Sequence, residues 1–91
     1  MNITDNTKPE HAFYCVDGSV LRNIPELADK LKKISSEHYQ HHVNSSRNDF
    51  CNWVKDIYRH ENLAKKIAAA KSSAEAVRII ESILRKEGKL A

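Results

Sequence analysis

Residues 42–57, HVNSSRNDFCNWVKDI, hold the pattern that decides the fold of this chain. Asn48 lies in the middle of the stretch and is a residue type that caps helix N-termini. After it, large apolar side chains recur at the spacing i, i+3, i+4 and i+7, which forms one stripe of an α-helix. These residues are Phe50, Trp53, Val54 and Ile57. The stretch therefore predicts a core helix that begins after Asn48 and runs to about Tyr58.

Upstream of this helix, the pair Asp17-Gly18 lies between two short runs of β-prone residues. An Asp-Gly pair in this setting predicts a β-hairpin whose two turn residues both take positive φ. Asn23 then introduces a first helix, and a short second helix is expected from about Glu37 to Val43. We expect Asn44 to close that second helix in the left-handed conformation, and residues 45–47 to form a loop.

Downstream, two more helices are predicted. Apolar residues at helical spacing indicate a helix around residues 63–70, and Ser72 begins the last helix, which Gly88 ends. The fold class is therefore mostly α: a small bundle of four or five helices with a short N-terminal β-hairpin. We expect residues 1–12 to be a flexible N-terminal tail and residues 13–88 to be a single helical domain with that hairpin.

The charge of the chain is unevenly distributed. The net charge is +3, but residues 55–91 alone carry nine Lys or Arg against five Asp or Glu. Such an excess can bind phosphate groups, although interspersed charges of both signs are also typical of an ordinary solvated helix surface. The basic residues that a nucleic acid would contact are Lys65, Lys66, Lys71, Arg78, Arg85 and Lys86.

Cysteine usage and hydropathy point to the cytoplasm. Cys15 and Cys51 are the only cysteines, and they form neither a C-x-x-C pair nor a disulfide framework. The first twelve residues lack the apolar core of a signal peptide, and no apolar run reaches membrane-spanning length. We therefore expect a cytoplasmic protein with reduced thiols and no membrane association.

Histidine is frequent enough to raise the question of a metal site. His38, His41 and His42 lie at i, i+3 and i+4 of the second helix. The ligand spacings typical of zinc sites are absent, so we assign no metal, although the sequence leaves the His cluster open. A Cys51–His42 nucleophile pair is conceivable, but no Gly-rich oxyanion turn accompanies it. We therefore predict no catalytic residue, no cofactor and no enzyme activity.

Short polar residues bracket the apolar stripe and are the best candidates for a binding surface. Such residues also cap helices and form hydrogen bonds within the fold, so both roles are open at this point. The candidate surface consists of His42, Asn44, Asn48, Asp49 and Asp56.

The same residues carry a resemblance to a known group of proteins. The stretch H-V-N, followed by N-D-F-x-x-W-V-x-D, resembles a family of small prokaryotic domains of unknown function that is frequent in archaea. The similarity extends over about residues 13–70, including Phe13 with Asp17-Gly18 and Leu63-Ala64. It implies a shared architecture, a shared polar cluster and the role of an accessory module, but it implies no reaction.

Together these patterns predict a non-catalytic interaction or regulatory module that binds a protein partner. The alternative is a weak nucleic-acid-binding protein that uses the basic C-terminal helices.

Overall fold

The computed structural model describes residues 2–88, which form five α-helices and two short pairs of antiparallel strands. The predicted class, a small mostly α domain with an N-terminal hairpin, is confirmed. In chain order the elements are β1 Phe13–Tyr14, β2 Val20–Leu21, α1 Ile24–Lys33, α2 Ser36–His42, β3 Val43–Asn44, β4 Arg47–Asn48, α3 Asp49–Trp53, α4 Glu61–Ala69 and α5 Ser73–Lys86. No helix in this part of the chain is long and apolar enough to cross a membrane.

Strands β1 and β2 form the predicted hairpin, in which Phe13 pairs with Leu21 and Tyr14 pairs with Val20. Only Gly18 in its turn has a positive φ, of 92°, so the expectation of two such turn residues was wrong. Asp17 instead uses its carboxylate, which accepts hydrogen bonds from the backbone N–H of Ser19 and from the Lys30 ammonium.

The N-terminal segment, for which the sequence predicts a flexible tail, contributes one side chain to the core. Ile3 is 3 % exposed, whereas most of residues 2–12 are exposed. The Tyr58 hydroxyl and the Trp53 indole N–H each donate to a backbone carbonyl of this segment at 2.8 Å. A buried apolar side chain and two partly buried hydrogen bonds tie the segment to the domain.

One hydrophobic core joins the helices, and α1 packs against α5 across it. Each helix that contributes to the core turns an apolar stripe inward, as its spacing in the sequence requires. The largest side chains that are fully buried are Phe50, Ile24, Leu27, Leu31, Leu63, Ile67, Ile80 and Val54.

The helix predicted from residues 42–57 begins after Asn48, as expected, but its second part is π-helical rather than α-helical. Asn48 caps α3, and from Val54 to Tyr58 the chain continues as a π-helical turn that ends at Arg59, with φ 55°. Because a π turn takes more residues than an α turn, Ile57 is rotated away from the stripe that Phe50, Trp53 and Val54 form, whereas Tyr58 stays close to it. Tyr58 is therefore buried, whereas Ile57 of the predicted stripe is half-buried.

Candidate functional site

The polar part of the opening stretch folds into a second hairpin, β3–β4, between α2 and α3. Val43 pairs with Asn48, and Asn44 pairs with Arg47, so of the predicted loop 45–47 Ser45 and Ser46 form the turn, whereas Arg47 is a strand residue. This hairpin lies between the last residue of α2, His42, and the first residue of α3.

His42 is buried, with 5 % of its surface exposed, and both of its ring nitrogens have partners. Nε2 lies 3.1 Å from the backbone nitrogen of Val16, in the turn of the first hairpin. Nδ1 lies 2.9 Å from Oδ2 of Asp49. A backbone N–H can only donate, so Nε2 must be the acceptor and Nδ1 must carry the proton that it donates to Asp49. The contacts therefore assign His42 as neutral imidazole.

Asp49 connects His42 to the second hairpin. Its Oδ2 also lies 3.4 Å from Nε of Arg47, and the Arg47 guanidinium donates to the backbone carbonyl of His41 at the end of α2. The Asp49 side chain is 31 % exposed, so solvent reaches the carboxylate from one side only. Asp49, His42 and Arg47 thus form one polar network, which we call the brace, because it joins α2, α3 and the first hairpin.

Asn48 has two structural contacts. Its Oδ1 accepts from the backbone N–H of Cys51 at 3.0 Å, which confirms the predicted helix cap. Its Nδ2 donates to the carbonyl of Ile67 in the last turn of α4, at 3.5 Å. The side chain therefore links the start of α3 to the end of α4.

Asn44 does not close α2 in the left-handed conformation. Among residues 2–88, Arg59 is the one residue other than glycine that has a positive φ, so this expectation was wrong. The Asn44 side chain instead bonds to the nearby backbone: Oδ1 accepts from the N–H of Ser46 and Nδ2 donates to the carbonyl of Gln40. These bonds shape the exposed turn of the second hairpin.

Asp56 lies apart from the brace, in the π-helical turn. It is exposed and lines an open groove together with Lys55, Arg59 and Glu61. Four of the five residues of the candidate surface lie at the second hairpin or its ends: His42, Asn44, Asn48 and Asp49. Two belong to the brace, one caps a helix and one shapes a turn, whereas Asp56 lines the groove beside the π-helical turn.

The exposed apolar surface lies instead on the first hairpin, where sequence reasoning did not place a site. Tyr14, Val16 and Val20 are 62, 44 and 38 % exposed. The paired Tyr14 and Val20 share one face of the hairpin, and the opposite face buries Phe13 and Leu21. We call Tyr14, Val16 and Val20 the apolar tip. The alternation of the strand residues was readable in the sequence, because neighbouring strand residues point to opposite faces.

The cysteine and histidine side chains that the sequence offered as a nucleophile pair or as metal ligands lie in surroundings that do not favour these roles. Burial raises the pKa of the Cys51 thiol, an effect that nearby Lys55 partly offsets. The Nε2 of His42, which would activate a nucleophile, is occupied by the Val16 N–H. In the described residues 2–88, no group of three or more His, Cys, Asp or Glu side chains could hold a metal ion.

The six basic residues of the alternative interpretation are all exposed, but they lie around several faces. Lys65 lines a groove with Cys51 and Lys55, on the α3 side of α4. Lys71 lines a separate groove beside Tyr39 of α2. Between residues 2 and 88, none of the six forms an ion pair; they are Lys65, Lys66, Lys71, Arg78, Arg85 and Lys86.

Comparison with models of protein families, with curated proteins and with solved structures finds no match to this chain. The resemblance to the archaeal-type family therefore stays a prediction, and the geometry of the chain itself must carry the functional argument.

Proposed function

We propose that this protein is a non-catalytic interaction module that binds a protein partner in the cytoplasm through the apolar tip. The observation that carries the proposal is the concentration of large exposed apolar side chains on one hairpin. Isolated apolar residues are ordinary on a protein surface, but three on one short hairpin can together contact one partner.

The brace supports this proposal because it gives the tip a defined shape. The Val16 N–H is bonded to His42, so the loop that carries one of the three apolar residues is attached to α2. Lys30 of α1 fixes the other side of the same turn through Asp17 and Ser19. A surface that is already ordered loses less conformational entropy when it binds a partner.

The size and surroundings of the tip indicate the kind of partner. A stable complex buries about 800 Å² on each side, and three side chains of one hairpin supply only a fraction of that area. Val20 lines a groove that carries both signs of charge, from Arg22, Lys30 and Lys33 and from Glu26 and Asp29. We therefore expect a folded protein that offers an apolar contact with charges of both signs around it, in a transient complex.

Photo-crosslinking from defined positions tests this proposal. A photoreactive phenylalanine analogue replaces Tyr14 in cells that naturally contain the protein, and a second sample carries it at Arg78, on the exposed face of α5. We expect one discrete protein adduct from position 14, none from position 78, and loss of the adduct in a Val16→Ser/Val20→Ser variant with an unchanged circular dichroism spectrum. Equal adducts from both positions, or none from position 14, would contradict the proposal.

The second candidate function, weak nucleic-acid binding, is favoured by the six exposed basic side chains, none of which forms an ion pair within residues 2–88. Because they do not share one face, we expect weak binding without sequence preference, on the order of 10⁻⁵ M or weaker at physiological salt. Titration of a labelled duplex and a labelled single strand at two salt concentrations tests it. Sub-micromolar affinity at the higher salt that is lost in Lys65→Glu/Lys66→Glu would place this function first.

A further inference from the structure

The hydrogen bond between the Val16 N–H and His42 exists only while the imidazole is neutral. A second proton would go to Nε2, since Nδ1 already carries one. The new Nε2–H would then face the Val16 N–H, and two donors cannot share a hydrogen bond. Protonation of His42 therefore removes the acceptor of the Val16 amide.

Charged and titratable groups face His42 from several elements. From α3, the Asp49 carboxylate lies against Nδ1. From β4, the Arg47 guanidinium contacts the same carboxylate. From α2, the exposed His41 ring lies 5.0 Å away between centroids. The aromatic rings of Phe13 and Phe50 cover the remaining sides.

The turn of the first hairpin is thus the weaker of the two partners of His42. Asp49 keeps its bond to Nδ1 in both protonation states, and only the bond to Val16 is lost. The other side of the turn stays attached, because the Asp17 carboxylate is held by the Lys30 ammonium and the Ser19 N–H. We infer that protonation of His42 releases the Val16 side of the turn and loosens the apolar tip, so that partner binding weakens as the pH falls.

The direction of the effect follows from counting protons. The attached form of the turn holds one proton fewer at His42 than the released form, so acid favours release. The effect on binding rests on the proposed function, whereas the loosening of the turn does not.

Amide hydrogen exchange on the isolated protein tests the inference without any partner. The protection of the Val16 amide, corrected at each pH for the intrinsic exchange rate, is compared between about pH 7.5 and about pH 5, which bracket the titration of histidine. We expect about a tenfold fall, the size of effect that the loss of one hydrogen bond produces. The amide of Ile80, in the buried face of α5, should keep its protection.

Two variants separate His42 from other titrating groups. In His42→Gln, an uncharged side-chain oxygen can accept from the Val16 N–H, so the protection of Val16 should not depend on pH. His38→Gln, one turn earlier on α2, should behave like the wild type. Constant Val16 protection in the wild type, an equal fall in His42→Gln or an equal fall at Ile80 would each overturn the inference.

A second measurement decides the question if His42→Gln does not fold. The ¹⁵N shifts of the His42 ring in the wild type should change over the same pH range as the protection of Val16. A change at a different pH would overturn the inference. Because neither experiment contains a partner, absence of a crosslinked protein would contradict the proposed function and leave the release of the turn intact.

Discussion

The two hairpins are equally short, but they are held in place in different ways. The first places Phe13 and Leu21 in the core and leaves Tyr14 and Val20 exposed, so tertiary packing determines its position. The second is polar, and its side chains bond to backbone groups and charges close by in the sequence. The comparison shows that contacts with the rest of the protein fix the position of the first hairpin. One of these contacts comes from the brace, to which Arg47 of the second hairpin belongs.

The largest expected effect concerns the packing of the first hairpin. The Phe13 ring stacks on Phe50 with a centroid separation of 4.9 Å and meets Trp53 edge-on at 5.7 Å. Phe13→Ala should lower the free energy of unfolding by about 3–5 kcal/mol, as cavities in aromatic cores do. Urea denaturation measures it, and Val20→Ala, on the opposite face, should change stability by less than about 0.5 kcal/mol. Equal costs for both variants would show that the hairpin does not depend on core packing.

The second prediction concerns the brace. Asp49→Ala removes the acceptor of the His42 Nδ1–H and the ion-pair partner of Arg47. The buried ring is left with an unpaired donor, so stability should fall by about 1–3 kcal/mol.

Asp56→Ala is the matched control for Asp49→Ala, because it removes an exposed carboxylate seven positions further along the same helical segment. It should stay within about 0.5 kcal/mol of the wild type. If Asp49→Ala and Asp56→Ala lower the free energy of unfolding equally, the His42–Asp49 contact makes no specific contribution to stability.

The first hairpin could be predicted from the sequence and the second could not, and the difference has a physical reason. Asp17-Gly18 marks a turn by local chemistry, and Gly18 does take the positive φ that glycine allows. The second hairpin has no glycine, and Asn44 and Arg47 bond to the carbonyl oxygens of Gln40 and His41, which take up these positions only once α2 has formed. Local propensity cannot reveal such contacts.

The candidate site shows the same limit. The helix cap at Asn48 was predictable because it involves residues three apart, and the structure confirms it. The partner of His42 in the turn of the first hairpin is 26 residues away and left no local signal. The π-helical turn that holds Asp56 also left no signal, because the apolar spacing of residues 50–57 is that of a regular α-helix.

The third prediction concerns the exit of the first hairpin. The Tyr58 hydroxyl donates to the carbonyl oxygens of Asp5 and Arg22, at 2.8 and 3.1 Å. Tyr58→Phe removes this donor and should cost about 1–1.5 kcal/mol in urea denaturation. A neutral substitution would mean that the N-terminal segment is not held through Tyr58.

The fourth prediction is that the wild type and Tyr58→Phe differ in how their stability changes at alkaline pH. Burial, together with Asp5 and Glu26, raises its pKa to about 12. The folded state therefore holds the phenolic proton more tightly than the unfolded state, whose tyrosines titrate near pH 10. The stabilising contribution of this group is complete below about pH 10 and is lost as the pH rises through about 12. Alkaline unfolding of Tyr58→Phe should lack this contribution.

The smallest expected effect tests the backbone of the second hairpin. If Asn44 were left-handed, its replacement by glycine would leave the stability unchanged. In an extended strand residue the replacement lowers the stability, because glycine loses more conformational entropy on folding. Asn44→Gly should therefore lower stability by about 0.5–1 kcal/mol, which thermal or urea denaturation can resolve. An unchanged or raised stability of Asn44→Gly would support the left-handed conformation instead.

The measurement that tests the link between the two hairpins most directly is the tautomer of His42 in the folded protein near neutral pH. Long-range ¹H–¹⁵N correlation spectra of protein labelled at histidine report which ring nitrogen carries the proton. We predict a neutral ring protonated at Nδ1, with Nε2 unprotonated and coupled to the Val16 amide. A ring protonated at Nε2, or at both nitrogens, would contradict the hydrogen bond from the Val16 N–H to Nε2 by which His42 links the first hairpin to the brace.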